Sequence, residues 1–166
     1  MTRFQGQAPT GSLVQELEVL VRTAIFKPAG ALVGYLLQGA ADRIDAAYQS
    51  KPGQVYKGRV TVRIQCLFGC FELQRDYYYH ECKQQGHYPA DAALGLEVGY
   101  TPALARLLCL EGADENSYQK AQLHLAETGG IHVSGRQIQR VVQRVGPDAQ
   151  KWQDVESDGA KGEGRH

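Results

Sequence analysis

Between Ser134 and Gly146 the apolar residues return at helical spacing. Ile138, Val141, Val142 and Val145 make one stripe, and Arg136, Gln137, Gln139, Arg140, Gln143 and Arg144 occupy the opposite side with no acid among them. Ser134 with Gln137 three residues later has the form of a capping box, and Gly146-Pro147 supplies a stop. Upstream, Ser117 is suited to cap a helix running through Tyr118, Ala121 and Leu125 to Gly129-Gly130, where a left-handed backbone costs glycine least. The short connector carries Ile131 and Val133, apolar residues that can plug the angle between two crossed helices. The spacing therefore predicts a helix-turn-helix. Thr101-Pro102 opens one more helix, with threonine as cap and proline at the first helical position. Its Ala103, Leu104, Leu107, Leu108 and Leu110 make it the expected core of a trihelical unit over 98–147.

The N-terminal third is patterned differently. Residues 1–11 have loop composition and are expected to be disordered. Ser12 then opens a helix with Leu13, Leu17, Leu20 and Ala24 on one stripe, and Lys27-Pro28 is expected to end it. A second helix is expected from about Ala29 to Tyr48, with Leu32, Leu36, Ala40, Ile44 and Ala47 on one side and Gly34 and Gly39 allowing a neighbour close. Over 12–50 the expectation is a helical hairpin whose leucine stripe is core, or a dimerisation element. After the breaker Lys51-Pro52-Gly53 the period changes to two. Val60, Val62, Ile64 and Cys66 alternate with Arg59, Thr61, Arg63 and Gln65, and beyond Phe68-Gly69 a partner strand alternates Phe71, Leu73, Tyr77 and Tyr79 with Glu72, Gln74, Asp76 and Tyr78. One β-hairpin is expected within 55–97. Its Arg59, Arg63 and Arg75 are expected to pair with Glu72 and Asp76 across the strands, with a phosphate backbone as the alternative.

Composition adds constraints. A chain of 166 residues with 43% hydrophobic and 22% charged residues can bury a core without staples. Eighteen basic and eighteen acidic residues cancel, so no global field draws it to nucleic acid, and any such affinity must be local. From Ser117 to Gly146, Lys120, Arg136, Arg140 and Arg144 stand against Glu127 alone, so basic charge gathers at the motif. Three arginines at four-residue steps with no acid between them repel one another, which favours an anionic partner over a merely solvated face. The start lacks the apolar core of a signal peptide. The longest apolar run, Ala29 to Ala41, is short of the ~20 residues a bilayer requires, so a cytoplasmic protein without a membrane span is expected. Cys66, Cys70, Cys82 and Cys109 then read as reduced thiols.

The segment after the hairpin, Tyr77 to Asp91, is rich in aromatic, histidine and cysteine residues. His80, Cys82 and His87 are candidate zinc ligands, but their spacing is not that of the usual paired ligands, and a hydrogen-bonded loop is the default with no metal or cofactor expected. Cys82 beside His80 and Glu81 has no oxyanion hole near it in sequence, and no glycine-rich phosphate loop occurs. Catalysis is therefore not expected.

Three runs carry a resemblance: Gly86-His-Tyr-Pro-Ala-Asp-Ala-Ala-Leu-Gly-Leu-Glu97, Thr101-Pro-Ala-Leu-Ala-Arg106 and Gly129-Gly-Ile-His-Val-Ser-Gly-Arg-Gln-Ile-Gln-Arg140, with the aromatic strand Phe71 to Tyr79 before them. Over roughly Val55 to Gly146 the chain resembles the N-terminal half of bacterial insertion-sequence transposases of the ISKra group. That resemblance implies recognition of double-stranded element ends by a non-catalytic region preceding a DDE-type, RNase H-like domain. A C-x-x-C pair of the family is represented here by Cys82 alone, with Gln85 in the second place. The catalytic domain is expected to be missing, because Asp154, Glu156 and Asp158 lie in a glycine-rich charged tail, 148–166, that cannot bury a core.

The expected protein is thus α+β and mostly helical, a DNA-binding module without transposase activity of its own. Arg136, Gln137 and Arg140 are expected to read base edges, and Arg144 and Lys120 to contact phosphates, with Gln139, Gln143 and His132 as secondary contacts. The alternatives are an oligomerisation module, pairing with another copy or with a full-length transposase, and a small zinc protein.

Overall fold

The computed structural model describes residues 11–146 except Glu97 and Asn116. The expected disordered start, apart from Gly11, and the charged tail lie outside the described residues. A long helix α1 (Gly11–Ala47) is followed by strands β1 (Gln54–Cys66), β2 (Gly69–His80) and β3 (Gln85–His87), then by helices α2 (Pro89–Leu94), α3 (Pro102–Asp114) and α4 (Tyr118–His124). The last turn of α4 widens into a π-helical turn, Leu125–Gly129, and a final helix α5 covers 135–146. The fold is mixed α+β, with a three-stranded antiparallel sheet in the order β1-β2-β3.

The helical hairpin expected over 12–50 is not formed. Pro28 lies inside one 37-residue helix. Proline removes one hydrogen bond and crowds the preceding turn, but here both sides of it are held by the same body. Behind Pro28, a Cβ on Gly30 would stand 3.2 Å from the Phe68 carbonyl oxygen and one on Gly34 2.8 Å from Phe71 Cβ, so the glycines seat the helix directly on the sheet. Ahead of it, the Phe26 ring meets Phe68 edge-on at 5.7 Å, and Arg22 donates to the Thr128 carbonyl oxygen. Gly39, the other small residue expected to admit a neighbour, has nothing near its Cβ position. The expectation of no membrane-length apolar segment depended on the break at Pro28. The continuous α1 is long and apolar enough to cross a bilayer by length and composition, although its Gly30, Gly34, Ala41 and Asp45 side is buried against the rest of the protein.

The expected hairpin β1-β2 forms, turning at Leu67-Phe68 rather than at Phe68-Gly69 and setting Ile64 opposite Phe71 and Val62 opposite Leu73. Beyond it the chain adds a third strand, pairing Tyr78 with His87 and His80 with Gln85. β3 is only three residues long, which leaves most of the outer edge of β2 uncovered, and α1 closes it with side chains. Gln38 receives the Gln74 N–H at 2.8 Å and donates back to the Gln74 carbonyl at 2.9 Å, and the Asp45 carboxylate accepts the Asp76 N–H at 2.9 Å. A strand edge satisfied in this way is no template for a foreign strand. Two of the three sheet arginines find acids outside the sheet rather than Glu72 and Asp76 across the strands. Arg59 pairs with Asp42 of α1, and Arg75 pairs with Asp91 of α2 while its guanidinium lies 3.9 Å over the Tyr88 ring.

Two buried clusters result. One joins Ala41 of α1, Ile64 and Leu73 of the sheet, Ala90 of α2 and Leu96. The other is helical: Leu104, Leu108 and Cys109 of α3, Ala121 and Leu125 of α4 and its π turn, Ile138, Val141 and Val145 of α5, with Ile131 and Val133 between them. Gly112 brings α3 against α5, since a Cβ there would meet Val142 at 2.8 Å and Ile138 at 3.2 Å. The sheet and this unit are tied where Gln65 donates to the Gly99 carbonyl and accepts from Thr101 N–H, at 2.8 and 3.0 Å. Thr101 precedes α3 in extended conformation with Pro102 first in the helix, but its hydroxyl makes no cap bond. All four cysteines are free thiols, Cys66 and Cys109 buried and Cys70 and Cys82 exposed.

His124 of α4 reaches Glu111 of α3, Nδ1 to Oε2 at 2.5 Å, and the hydrogen bond to that carboxylate raises the imidazole above its ordinary 6.5. A cation favoured in the folded state contributes fully below the unfolded value of 6.5, and its contribution is lost as pH rises through the higher folded value. The thermal midpoint should therefore fall as pH is raised from below 6.5, and should fall less in His124→Gln. Equal declines in both proteins would show that the pair adds nothing.

Candidate nucleic-acid interface

α5 is seated by its first residues. A Cβ on Gly135 would stand 2.9 Å from the Tyr118 carbonyl oxygen, so only glycine lets the start of α5 rest on the backbone of α4. Gln122 of α4 accepts the Gly135 N–H at 2.8 Å. The capping box closes as the sequence implies: Gln137 N–H approaches Ser134 Oγ at 3.3 Å, and Ser134 N–H and Oγ–H donate to Gln137 Oε1 at 3.0 and 2.9 Å. Ser117 likewise accepts from Lys120 N–H at the start of α4, and the left-handed Gly130 ends the π turn.

With its entry fixed, α5 turns Ile138, Val141 and Val145 inward, each 5% exposed or less, and Arg136, Gln137, Gln139, Arg140, Gln143 and Arg144 outward. No acid lies on that outer side. Lys120 is exposed on the first turn of α4, two residues beyond the Tyr118 backbone on which α5 rests, and His132 is exposed in the connector. The structure thus gathers the eight residues singled out in the sequence around one helix and its entry. One of them has restricted chemistry. Gln137 Oε1 is occupied by the cap, so Gln137 cannot offer the donor-acceptor pair that would fit an adenine edge and keeps only its amide N–H groups for a ligand.

A wall of the sheet faces this helix entry. Arg63 and Gln65 of β1, Gly69 and Cys70 of the hairpin turn, and Tyr100 line a groove of about 540 Å³ whose other wall is Gly130, His132 and Gln137. Gln65 Nε2 lies 3.4 Å from the His132 carbonyl oxygen, which brings the hairpin to the connector. Burial pushes the Tyr100 phenol above its ordinary pKa, while the charge of Arg140 acts in the opposite direction. Arg63 thus shares a groove with His132 and Gln137 and is a basic residue contributed by the sheet. The strand alternation offers Arg63 as a phosphate contact, but its nearness to the connector depends on the pairing of Gln65 with Tyr100, residues far apart in the chain.

The zinc candidates do not converge. His80 and His87 line a smaller cavity of about 230 Å³ with Lys51, Lys83 and Gln85, whereas Cys82 sits on the exposed turn between β2 and β3. Among the described residues no three His, Cys, Asp or Glu side chains are grouped so as to hold a metal ion. Two lysines at that cavity would oppose a cation.

No protein-family model matches the chain, and no curated protein matches it.

Proposed function

We propose that this chain binds double-stranded DNA through α5, with α4, the connector and α5 acting as a helix-turn-helix, and that it corresponds to the non-catalytic, end-recognising part of the insertion-sequence transposases it resembles. The observation that carries this reading is the two-sided α5: a fully packed apolar side and an outer side of arginine and glutamine without an acid. Arginine forks match guanine edges and phosphate oxygens, and glutamine matches adenine. A protein of zero formal net charge gains DNA affinity only where its bases are concentrated. Arg136 and Arg140 are assigned to base edges, Arg144 and Lys120 to phosphates, and Gln139, Gln143 and His132 to secondary contacts. Gln137 acts mainly as the cap that fixes the helix entry. No strand-transfer chemistry is assigned to the described residues. A cytoplasmic location follows from the same reading.

Fluorescence anisotropy on a mixed-sequence duplex, followed by selection from a randomised duplex pool, tests this. The logarithm of the binding constant should fall linearly with the logarithm of salt concentration, with a slope of about −0.9 for each phosphate neutralised. Arg140→Ala should weaken binding to the selected duplex by ~1 to 3 kcal/mol and relax preference at one position. Salt-independent binding, or an isotherm unchanged by Arg140→Ala together with Arg136→Ala, would refute the assignment.

A further inference from the structure

Among the described residues, nothing packs on the outer, apolar side of α1. Val14, Val21, Ile25, Leu32 and Leu36 follow one another at steps of seven and four residues and so lie on one side of the helix, with Tyr35 beside them. Each is largely exposed, Ile25 at 58% and Tyr35 at 77%. The buried Gly30, Gly34, Ala41 and Asp45 follow the same kind of steps displaced by two residues, which on an α-helix is the opposite side. The stripe therefore points away from the packed side over roughly 33 Å of helix, with Leu36 at its margin also lining an apolar groove with Leu37, Phe68 and Leu94. A contiguous apolar strip of that length marks a contact surface.

Charge decides what covers it. Along the stripe one acid, Glu18, lies near one end and one base, Arg43, near the other, both exposed. We propose that this side of α1 pairs with the same side of α1 in a second copy, antiparallel, so that Glu18 of each copy meets Arg43 of the other. A parallel pair would set Glu18 against Glu18 and Arg43 against Arg43, whereas the antiparallel pair makes two ion pairs flanking the apolar strip. In that register Ile25 faces Leu36 of the second copy, Val21 faces the small Gly39 and Ala40, and Leu32 faces Pro28 and Ala29, so large residues oppose small ones along most of the seam. Gly39, which touches nothing within its own chain, then has a reason to be small. A bilayer suits this helix poorly, because Glu16, Glu18, Arg22 and Lys27 crowd its first half, and Gln38 and Asp45 of its second half are bonded to the edge of β2. The pairing is independent of DNA binding, as none of its residues belongs to α5.

Sedimentation equilibrium of the full chain should give a dimer. Ile25→Asp should shift it to monomer while leaving the circular dichroism unchanged, since the side chain is largely exposed in its own copy. Glu18→Arg alone should weaken the dimer about tenfold by turning two exposed attractions into repulsions, and adding Arg43→Glu should restore it. A wild-type monomer, or a dimer that the double exchange fails to restore, would overturn the antiparallel pairing. So would binding of the wild type to phosphatidylcholine–phosphatidylglycerol vesicles that Ile25→Asp abolishes, since that result would give the face to lipid.

Discussion

Ile138→Ala is expected to destabilise the protein by about 2 to 5 kcal/mol, the range for truncating a fully buried aliphatic side chain in a core that relaxes only in part. Ile138 is completely buried and packs with Leu104, Leu108, Ala121 and Val141, and its Cγ2 lies where a Cβ on Gly112 would meet it at 3.2 Å. Against a typical total of ~5 to 15 kcal/mol this is a large fraction of stability. Arg136→Ala, two residues earlier on the outer side of the same helix, should change stability by no more than ~0.5 kcal/mol, as exposed substitutions do. Urea denaturation read beside DNA affinity then separates the two sides of α5. Ile138→Ala should lower the denaturation midpoint and lose binding only where the protein unfolds, whereas Arg136→Ala should lose binding at full stability. A shift for Ile138→Ala as small as that for Arg136→Ala would place Ile138 outside the core and remove the basis for orienting the helix.

What could be read from the sequence is what local chemistry decides. The caps at Ser117, Ser134 with Gln137, and Gly130 are each set by residues within a few positions of one another, and the structure forms them as written. The stripe of α5 and the strands β1 and β2 follow from periods of 3.6 and two, which a single segment displays. Pro28 shows where this stops. A break there is the local preference, but Gly30, Gly34 and Phe26 engage one body from both sides, and that gain lies in contacts with Phe68 and Phe71 some forty residues away in the chain. The short strand Gln85–His87 and the one-and-a-half-turn helix Pro89–Leu94 are too brief for a period to register, and each exists because Tyr78 or Arg75 is there to receive it. The leucine stripe of α1 misled for another reason. Helical spacing reports that a face is apolar, not that this chain covers it, and Leu32 and Leu36 are exposed. At the candidate interface the outward arginines were legible, while the commitment of Gln137 to its own cap and the approach of Arg63 were visible only once the connector and the hairpin were in place.

Asp91→Ala is expected to destabilise by about 2 to 4 kcal/mol, and the double exchange Arg75→Met with Asp91→Leu to recover most of that loss. Arg75 is buried at 9% exposure, and Asp91 of α2 is the carboxylate its guanidinium meets. Removing one partner of a buried ion pair strands the other charge, at ~3 to 5 kcal/mol when both are deeply buried. The Asp91 side chain keeps 22% exposure, so water relieves part of that cost and the lower range applies. Tyr88, 3.9 Å beneath the guanidinium and itself stacked on Tyr77 at 4.9 Å, cannot replace the acid, because a ring face offers a cation less than a carboxylate does. The Arg75 Nε is buried without a partner, a further cost the native protein already bears. Apolar residues of similar size would remove both the stranded charge and that orphaned N–H, as apolar replacements of buried ion pairs often do without loss. Chemical denaturation of the wild type, the single variant and the double variant measures the sequence of effects directly. A single variant with wild-type stability would mean that the pair is solvated, and that α2 is held to β2 by Ala90 and Leu73 alone.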